Sequence, residues 1–207
     1  MPQPPMTPAE FQATTGVSRE TLDRLSLYAE LLVKWQKKIN LVGPATIPDL
    51  WRRHMLDSAQ LWPRLPAGLP RLIDIGSGAG FPALVLAIMG VPDVHVIESD
   101  QRKCTFMREV ARQTGAPVTV HTQRIEQVTD LQAPVVTARA LAALPKLIDL
   151  AAPLLAENGE MLLLKGQNID EELTQARKIW IFEDTRSPSQ SDPSGVVLRL
   201  REVRPNE

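Results

Sequence analysis

The stretch that decides the fold is Leu72-Ile73-Asp74-Ile75-Gly76-Ser77-Gly78-Ala79-Gly80-Phe81-Pro82. Its first four residues predict a strand, its three alternate glycines a tight turn, and Pro82 with the uncharged run 83–89 a helix. Glycines at a strand-to-helix turn let backbone N–H groups approach a ligand closely. The stretch therefore predicts a site for a nucleotide-like cofactor.

Two residues of this stretch indicate which cofactor binds. The dinucleotide pattern of NAD and FAD proteins has a glycine five residues after the first one, but Phe81 occupies that position and would crowd a pyrophosphate. Asp74 adds a carboxylate near the ligand, which suits a cationic methionine end. The motif favours S-adenosylmethionine over a dinucleotide, and a purely structural turn is the third alternative.

Short apolar runs alternate with helical periodicity on both sides of the glycine turn. This alternation predicts an α/β fold, a Rossmann-like and mostly parallel sheet of about seven strands with helices on both faces. Glu98 ends the second strand, 22 residues after Gly76, where a carboxylate can accept hydrogen bonds from ribose hydroxyls. The further strands are predicted at 94–98, 118–121, 135–138 and 161–164, with an edge hairpin at 179–182 and 196–200, and the main helices at 99–114 and 144–155.

A helical extension is predicted to precede this domain. Ser18 is a plausible N-cap of an amphipathic helix reaching Ile39, and Thr46-Ile47-Pro48-Asp49 resembles a capping box that opens a second helix to about Trp62. The proline-rich segment 63–70 predicts a boundary between the helical extension and the main domain. We therefore expect a disordered lead-in at 1–17, a helical extension at 18–64 and the Rossmann-like domain at 65–207.

The extension contains basic side chains interleaved with three tryptophans, a combination that can hold phosphates and stacked bases. The alternative is a solvated charged face. The candidate RNA-binding residues are Lys34, Lys37, Arg52, Arg53 and, at the end of the fifth strand, Lys165.

His54, Asp57 and Ser58 share one helix face of the extension. They are expected to form a hydrogen-bonded buttress against the sheet, with a metal or catalytic cluster as the alternative. No other His or acidic residue is spaced to complete a metal site, so we predict no metal.

Composition limits the possible partners. The 207 residues are 43% hydrophobic with a net charge of −1, so a core can form, but RNA would have to bind a local patch. Cys104, the one cysteine, excludes a disulfide framework within a monomer. The start of the chain has no apolar run typical of a signal peptide or membrane span. We expect a cytoplasmic, monomeric protein without membrane contact.

Several separated motifs together resemble the bacterial small-subunit ribosomal RNA methyltransferase G family, RsmG or GidB. They are Asn40-Leu41, Arg53-His54-Met55-Leu56-Asp57-Ser58, the stretch 73–82, Ser99 with Arg102-Lys103, Arg139-Ala140 and Leu164-Lys165-Gly166. The resemblance implies a class I methyltransferase that makes 7-methylguanosine at position 527 of 16S rRNA, with naked rRNA or the small ribosomal subunit as its partner. It also implies S-adenosylmethionine contacts at Gly76, Phe81, Ile125, Glu126 and Arg139.

The residues and the resemblance together give one set of candidates. Guanine N7 has its own lone pair, so methylation needs no general base, and catalysis reduces to positioning and electrostatics. The candidate catalytic residues of this kind are Arg139 and Lys165. A nucleotide-dependent oxidoreductase and a noncatalytic RNA-binding protein remain the rival functions. The candidate cofactor-binding residues are Asp74, Gly76, Gly78, Gly80, Phe81, Glu98, Ile125, Glu126 and Arg139.

Overall fold

A computed structural model describes residues Gln3–Asn206 and contains the predicted sheet. Seven strands lie in the order β3-β2-β1-β4-β5-β7-β6, the first five parallel, with β7 antiparallel to both β5 and β6. The Rossmann-like class and the antiparallel edge pair are confirmed. The strands are β1 (Leu72–Ile75), β2 (Val94–Glu98), β3 (Val118–Thr122), β4 (Ala133–Arg139), β5 (Leu155–Lys165), β6 (Trp180–Pro188) and β7 (Val196–Pro205).

Helices cover both faces of the sheet and form two separate layers of hydrophobic core. Strand alternation divides β1 between them, because Leu72 packs towards the N-terminal helices and Ile73 towards the opposite layer. The helices are α1 (Pro8–Thr15), α2 (Arg19–Gln36), α3 (Asp57–Ala59), α4 (Ala83–Met89), α5 (Gln101–Thr114), α6 (Leu144–Ala151) and α7 (Ile169–Ala176). Short 3-10 turns occupy Pro44–Asp49, Trp62–Arg64, Ile125–Gln127 and Ala152–Leu154.

The expected disorder of the lead-in is wrong for the described part of it, from Gln3 onward; Met1 and Pro2 lie outside the described residues. Helix α1 begins with a capping box, in which the Glu10 N–H donates to Thr7 Oγ1 at 3.2 Å and the Thr7 N–H donates to Glu10 Oε2 at 2.7 Å. Phe11 is fully buried, and its ring centroid lies 5.2 Å from that of Trp51. One buried aromatic and a good cap order this segment despite its prolines.

The second helix of the extension begins differently from the prediction. Thr46 caps no helix, because its hydroxyl donates to the Gly43 carbonyl at 2.7 Å within the 3-10 turn. A π-helical turn, Trp51–Leu56, follows and continues directly into α3. The Ser18 cap of α2 is confirmed, since its hydroxyl accepts the Thr21 N–H.

The extension shares its core with the sheet. Tyr28 of α2 is fully buried, stacks on Phe81 with 5.1 Å between ring centroids, and its hydroxyl donates to the Ala79 carbonyl at 2.7 Å. The glycine turn is therefore held from below by a helix more than 40 residues upstream. Among the described helices, none combines the length and apolar character that crossing a membrane requires.

Candidate functional site

The glycine turn joins β1 to α4 at the carboxyl end of the sheet, where parallel α/β sheets bind ligands. Gly76, Gly78 and Gly80 have φ angles of +64°, +59° and +98°, which L side chains rarely adopt. A β-carbon at Gly76 would lie 2.4 Å from Leu141 Cδ1, and one at Gly80 would lie 2.3 Å from Leu84 Cδ1. The turn consequently exposes backbone that only glycine can provide.

Two neighbouring cavities meet at this turn and share Gly76, Gly78, Lys103 and Ala140. The first encloses about 510 Å³ and the second about 330 Å³. Among the predicted residues, Phe81, Arg139, Arg53 and Lys165 line the first cavity, and Glu98, Ile125 and Glu126 line the second. Together the cavities offer an elongated cleft with polar groups at both ends, which fits a ligand with a nucleoside and an amino-acid end.

Glu98 connects the glycine turn to the N-terminus of α5 by hydrogen bonds. Its carboxylate accepts the N–H of Gly78 at 3.0 Å and that of Asp100 at 2.8 Å. Asp100 in turn caps α5, so the carboxylate has a fixed position beside the second cavity. This is the placement expected for an acceptor of ribose hydroxyls.

Asp74 does not reach either cavity, which corrects the expected direct contact with the ligand. Strand alternation turns its side chain beneath the glycine turn, where it is fully buried and accepts hydrogen bonds from Ser77 and from Thr137 Oγ1, the latter at 2.6 Å. Burial raises the pKa of Asp74 to about 7. Gly80 also lies outside both linings and packs against Leu84 and the Tyr28 hydroxyl. Both residues therefore support the glycine turn from its buried side.

Arg139, at the end of β4, is bound by the helical extension. Its guanidinium donates to Asp57 Oδ2 at 3.2 Å, to the Arg53 carbonyl at 3.2 Å and to His54 Nδ1 at 3.0 Å. It also lies 4.9 Å above the centroid of Phe81. These contacts fix a positive charge at the wall of the first cavity.

The hydrogen bonds around His54 determine its tautomer. The Thr46 hydroxyl donates its hydrogen to the Gly43 carbonyl, so it can only accept from His54 Nε2, which lies 2.7 Å from Thr46 Oγ1. Nε2 therefore carries the imidazole proton. Nδ1 is then the lone pair that accepts from Arg139. Burial, followed by the charges of Arg139 and Arg53, lowers the pKa of His54 to about 3.

The buttress predicted for His54 and Asp57 is confirmed by these contacts. Ser58 contributes by donating to the His54 carbonyl at 2.8 Å. In the described part of the chain, no three His, Cys, Asp or Glu residues are grouped as metal ligands.

Lys165 lies at the cavity wall but is not free to bind phosphate as expected. Its ammonium group donates to the Ala142 carbonyl at 2.9 Å and forms an ion pair with Glu172 at 2.6 Å, and its side chain is only 8% exposed. The partner, Glu172, comes from α7, whose approach the sequence pattern did not indicate. Lys165 fixes the β4–α6 connection against α7.

The basic residues of the extension face different directions. Arg52 is largely buried against Asp49 and the Pro4 carbonyl and lines neither cavity of the cleft, whereas Arg53 faces the first one. Lys34 and Lys37 border a separate surface groove of about 450 Å³ that Trp51 helps to line. The predicted RNA-binding set is thus divided between the first cavity and the surface groove, with Arg52 in neither, and Arg52 and Arg53 diverge because consecutive residues of a helical turn point in different directions.

The loop between β6 and β7 was missed by the sequence analysis. Ser189, Ser191, Asp192 and Ser194 all line the first cavity. Ser191 Oγ donates to Asp57 Oδ1 at 2.5 Å, which ties this loop to the same buttress. Its Ser, Pro, Asp and Gly content marked a loop, but only the tertiary fold places it over the glycine turn.

The residues predicted to be structural lie outside both cavities. Cys104 is buried in α5, as expected. His95 and His121 stack on neighbouring strands, with His95 Nδ1 2.8 Å from His121 Nε2.

Comparison with known proteins identifies the family. A family model described as GidB, rRNA small subunit methyltransferase G, matches residues 21–192. The chain belongs to the GidB family. It is 63% identical over 198 residues to the ribosomal RNA small subunit methyltransferase G of Paramagnetospirillum magneticum, covering 96% of this chain and 97% of that protein. It is 55% identical to the protein of the same name from Rhodospirillum centenum, with 99% and 95% covered.

Solved structures share the fold of this GidB family member at low sequence identity. The ribosomal protein L11 methylase of Lactobacillus delbrueckii superposes with a TM-score of 0.55 at 17% identity, over 72% of this chain and 77% of that one. The N-methyltransferase NodS of Bradyrhizobium japonicum, in complex with S-adenosyl-L-homocysteine, gives 0.53 at 15% identity, over 84% and 97%. Family and fold together make the chain a methyltransferase with the class I fold.

Proposed function

We propose that this methyltransferase acts on N7 of a guanosine in small-subunit ribosomal RNA, at the position numbered 527 in 16S rRNA. The substrate class follows from the name of the family and of its relatives. The choice of N7 rests on the hydrogen bonds that the possible proton-accepting side chains of the first cavity already make.

Two side chains there that could remove a proton, His54 and Asp57, already accept hydrogen bonds. His54 Nδ1 accepts from Arg139, and Nε2 carries the proton. Asp57 accepts from Arg139, Ser191 and Gln60. With these two side chains engaged, the site favours an acceptor atom that carries no proton, and guanine N7 is such an atom.

The residues that line the two cavities fit S-adenosylmethionine as the cofactor. The β-carbon-free backbone of Gly76 and Gly78 would lie against it, Glu98 would accept the ribose hydroxyls, and Ile125 and Glu126 would border the adenine. S-adenosylmethionine would supply a methyl group on a sulfonium centre, and attack of the nitrogen lone pair on the methyl carbon, in line with the carbon–sulfur bond, would release S-adenosylhomocysteine. Arg139 and Phe81 then hold the wall against which the guanine is positioned.

The experiment incubates the protein with tritiated S-adenosylmethionine and small-subunit RNA from a strain that lacks this methyltransferase. Label in the RNA, with chain cleavage at a single 7-methylguanosine, is the expected result. Label at another atom or base rejects the N7 assignment, and no label with either naked RNA or intact subunits rejects the RNA substrate. Parallel reactions on naked RNA and subunits identify the preferred form.

The groove bordered by Lys34 and Lys37 is the proposed contact for RNA outside the active site, because both side chains are exposed and Trp51 offers an aromatic surface beside them. Lys34→Gln with Lys37→Gln should weaken RNA binding and reduce the slope of log Kd against log salt by roughly one to two. Lys178→Gln with Arg204→Gln, both exposed beside the opposite edge of the sheet, is the charge-matched control. An unchanged slope in the groove variant rejects this surface.

A further inference from the structure

The outer wall of the first cavity carries an Arg–Asp pair contributed by two distant parts of the chain. Arg53, in the π-helical turn of the extension, points Nη1 at Oδ2 of Asp192, in the β6–β7 loop, at 3.3 Å. Both residues line the cavity that also contains Phe81 and Arg139. Neither side chain takes part in the hydrogen bonds of the buttress, and neither lines the second cavity.

We propose that Arg53 and Asp192 read the Watson–Crick edge of the target guanine and so determine base specificity, an inference that rests on the proposed function. A guanine presents along that edge an acceptor, O6, and then two donors, the N1–H and the 2-amino group. A guanidinium beside a carboxylate presents the complementary order, donors and then acceptors. Adenine has a donor at position 6 and an acceptor at N1, so the same pair would place its donors against the adenine donor and its carboxylate against the adenine acceptor.

The carboxylate is prepared for this role before any base binds. Asp192 Oδ1 accepts the Ser194 N–H at 2.9 Å and the Ser194 hydroxyl at 2.7 Å. These hydrogen bonds lower the pKa of Asp192, so the group is ionised at neutral pH. A preorganised acceptor contributes more to recognition than one that must be ordered on binding.

The loop that carries Asp192 is anchored to the extension on its other side. The Gln190 N–H donates to Gln60 Oε1 at 2.8 Å, and Gln60 Nε2 donates to Ser189 Oγ at 3.1 Å. These two bonds and the Ser191–Asp57 bond hold the carboxylate opposite Arg53. The position is therefore defined by three contacts within the chain rather than by the ion pair.

The ion pair itself is weak enough to open for a base. Its single contact is long, and the side chains are 45% and 33% exposed, conditions under which an ion pair contributes little. Asp192 Oδ2 accepts only from Arg53 among the described residues. Asp57, the other carboxylate of this cavity, has its acceptors taken by Arg139, Ser191 and Gln60.

Electrostatics favours the same arrangement. Methylation at N7 leaves the guanine ring with a positive charge, which a nearby carboxylate stabilises and which Arg53 alone would oppose. A paired Arg53 and Asp192 present no net charge to the base. The pair therefore supplies donors for O6 without opposing the charge that develops on the ring.

The test compares guanosine with inosine at the methylated position of otherwise identical RNA, because inosine keeps N7, O6 and the N1–H but lacks the 2-amino group. We expect the wild-type protein to show a kcat/KM for guanosine at least about tenfold above that for inosine. Asp192→Ala should lose at least about tenfold on guanosine and less on inosine, because both bases lose the N1–H contact and only guanosine also loses the 2-amino contact, so the ratio falls towards one. A ratio that stays at the wild-type value in Asp192→Ala overturns the assignment.

Arg53→Gln provides an independent readout. Both bases keep O6, so this variant should lower kcat/KM on guanosine and inosine by the same factor and preserve their ratio. Asp93→Ala, which breaks the Arg71–Asp93 pair of similar exposure outside both cavities, is the matched control and should leave both rates unchanged. An Arg53→Gln variant with wild-type rates overturns the O6 contact.

Two further measurements separate the possible failures. Thermal unfolding and calorimetric binding of S-adenosylhomocysteine should be close to wild type in both variants, because Asp192 and Arg53 are surface residues outside the cofactor's cavity wall at Glu98. If the wild-type protein labels no guanosine, the proposed function fails. If it labels guanosine but Asp192→Ala discriminates inosine normally, only the reading of the base fails.

Discussion

His54 is expected to make this protein sensitive to acid. Its native pKa is about 3, against 6.5 for an unhindered imidazole. Below pH 6.5 the unfolded chain takes up a proton that the native site refuses, so stability is complete above this pH and is lost progressively towards pH 3. Burial of the imidazole is the main cause, and a proton on Nδ1 would also face the Arg139 guanidinium at 3.0 Å.

The magnitude follows from linkage. At pH 5, about 1.5 pH units below the unfolded value, the proton taken up by the unfolded imidazole favours unfolding by roughly 2 kcal/mol. His54→Phe keeps the stacking on Phe81, where the ring centroids lie 5.0 Å apart, and removes the titrating nitrogens. At pH 7 the variant should be less stable than wild type by about 1–3 kcal/mol, because Arg139 and Thr46 each lose a partner.

The assay is urea unfolding of both proteins between pH 5 and pH 8. Between pH 7 and pH 5, the wild-type protein should lose about 2 kcal/mol more than His54→Phe does. Comparing the two proteins at each pH cancels the titration of every other group. If the two stability curves run parallel across this range, the pKa of His54 is not lowered in the native state and the reasoning is refuted.

Three other substitutions test the glycine turn. Asp74 should have the opposite effect to His54. Because its native pKa is about 7, the native state takes up a proton between pH 7 and pH 3.8 that the unfolded state does not, so this residue stabilises the wild-type protein by roughly 2 kcal/mol more at pH 5 than at pH 7. Asp74→Asn should lose this gain in the same unfolding series. Gly76→Ala should lower the affinity for S-adenosylhomocysteine at least tenfold in calorimetry, because its β-carbon would meet Leu141 at the junction of the two cavities. The control is Gly16→Ala, which has a similar φ of +71° and no neighbour within 4 Å. It should lower the free energy of unfolding by about 1 kcal/mol and leave the affinity unchanged. Tyr28→Phe leaves the Ala79 carbonyl without its partner and should lower the free energy of unfolding by about 1–3 kcal/mol; a variant as stable as wild type would show that this hydrogen bond does not hold the turn.

The site could be predicted where local pattern fixes position. Gly76, Gly78 and Glu98 lie where the strand-turn-helix pattern and the following strand put them, since parallel strands bring their carboxyl ends to one edge. Asp74 shows the limit of that reasoning. Its sequence position beside the turn suggested a ligand contact, but strand alternation and the Thr137 hydroxyl opposite it bury the side chain.

The sequence by itself determined the sheet, the glycine turn and the family, because these depend on local propensity, on hydrophobic period and on motifs of adjacent residues. Only the tertiary structure decided which charges are free. Lys165 meets Glu172, Arg139 meets Asp57, and Arg53 meets Asp192 across 139 residues of sequence. Such pairings depend on how remote elements pack, and no local pattern specifies them, so the composition of the cavity wall had to come from the folded chain.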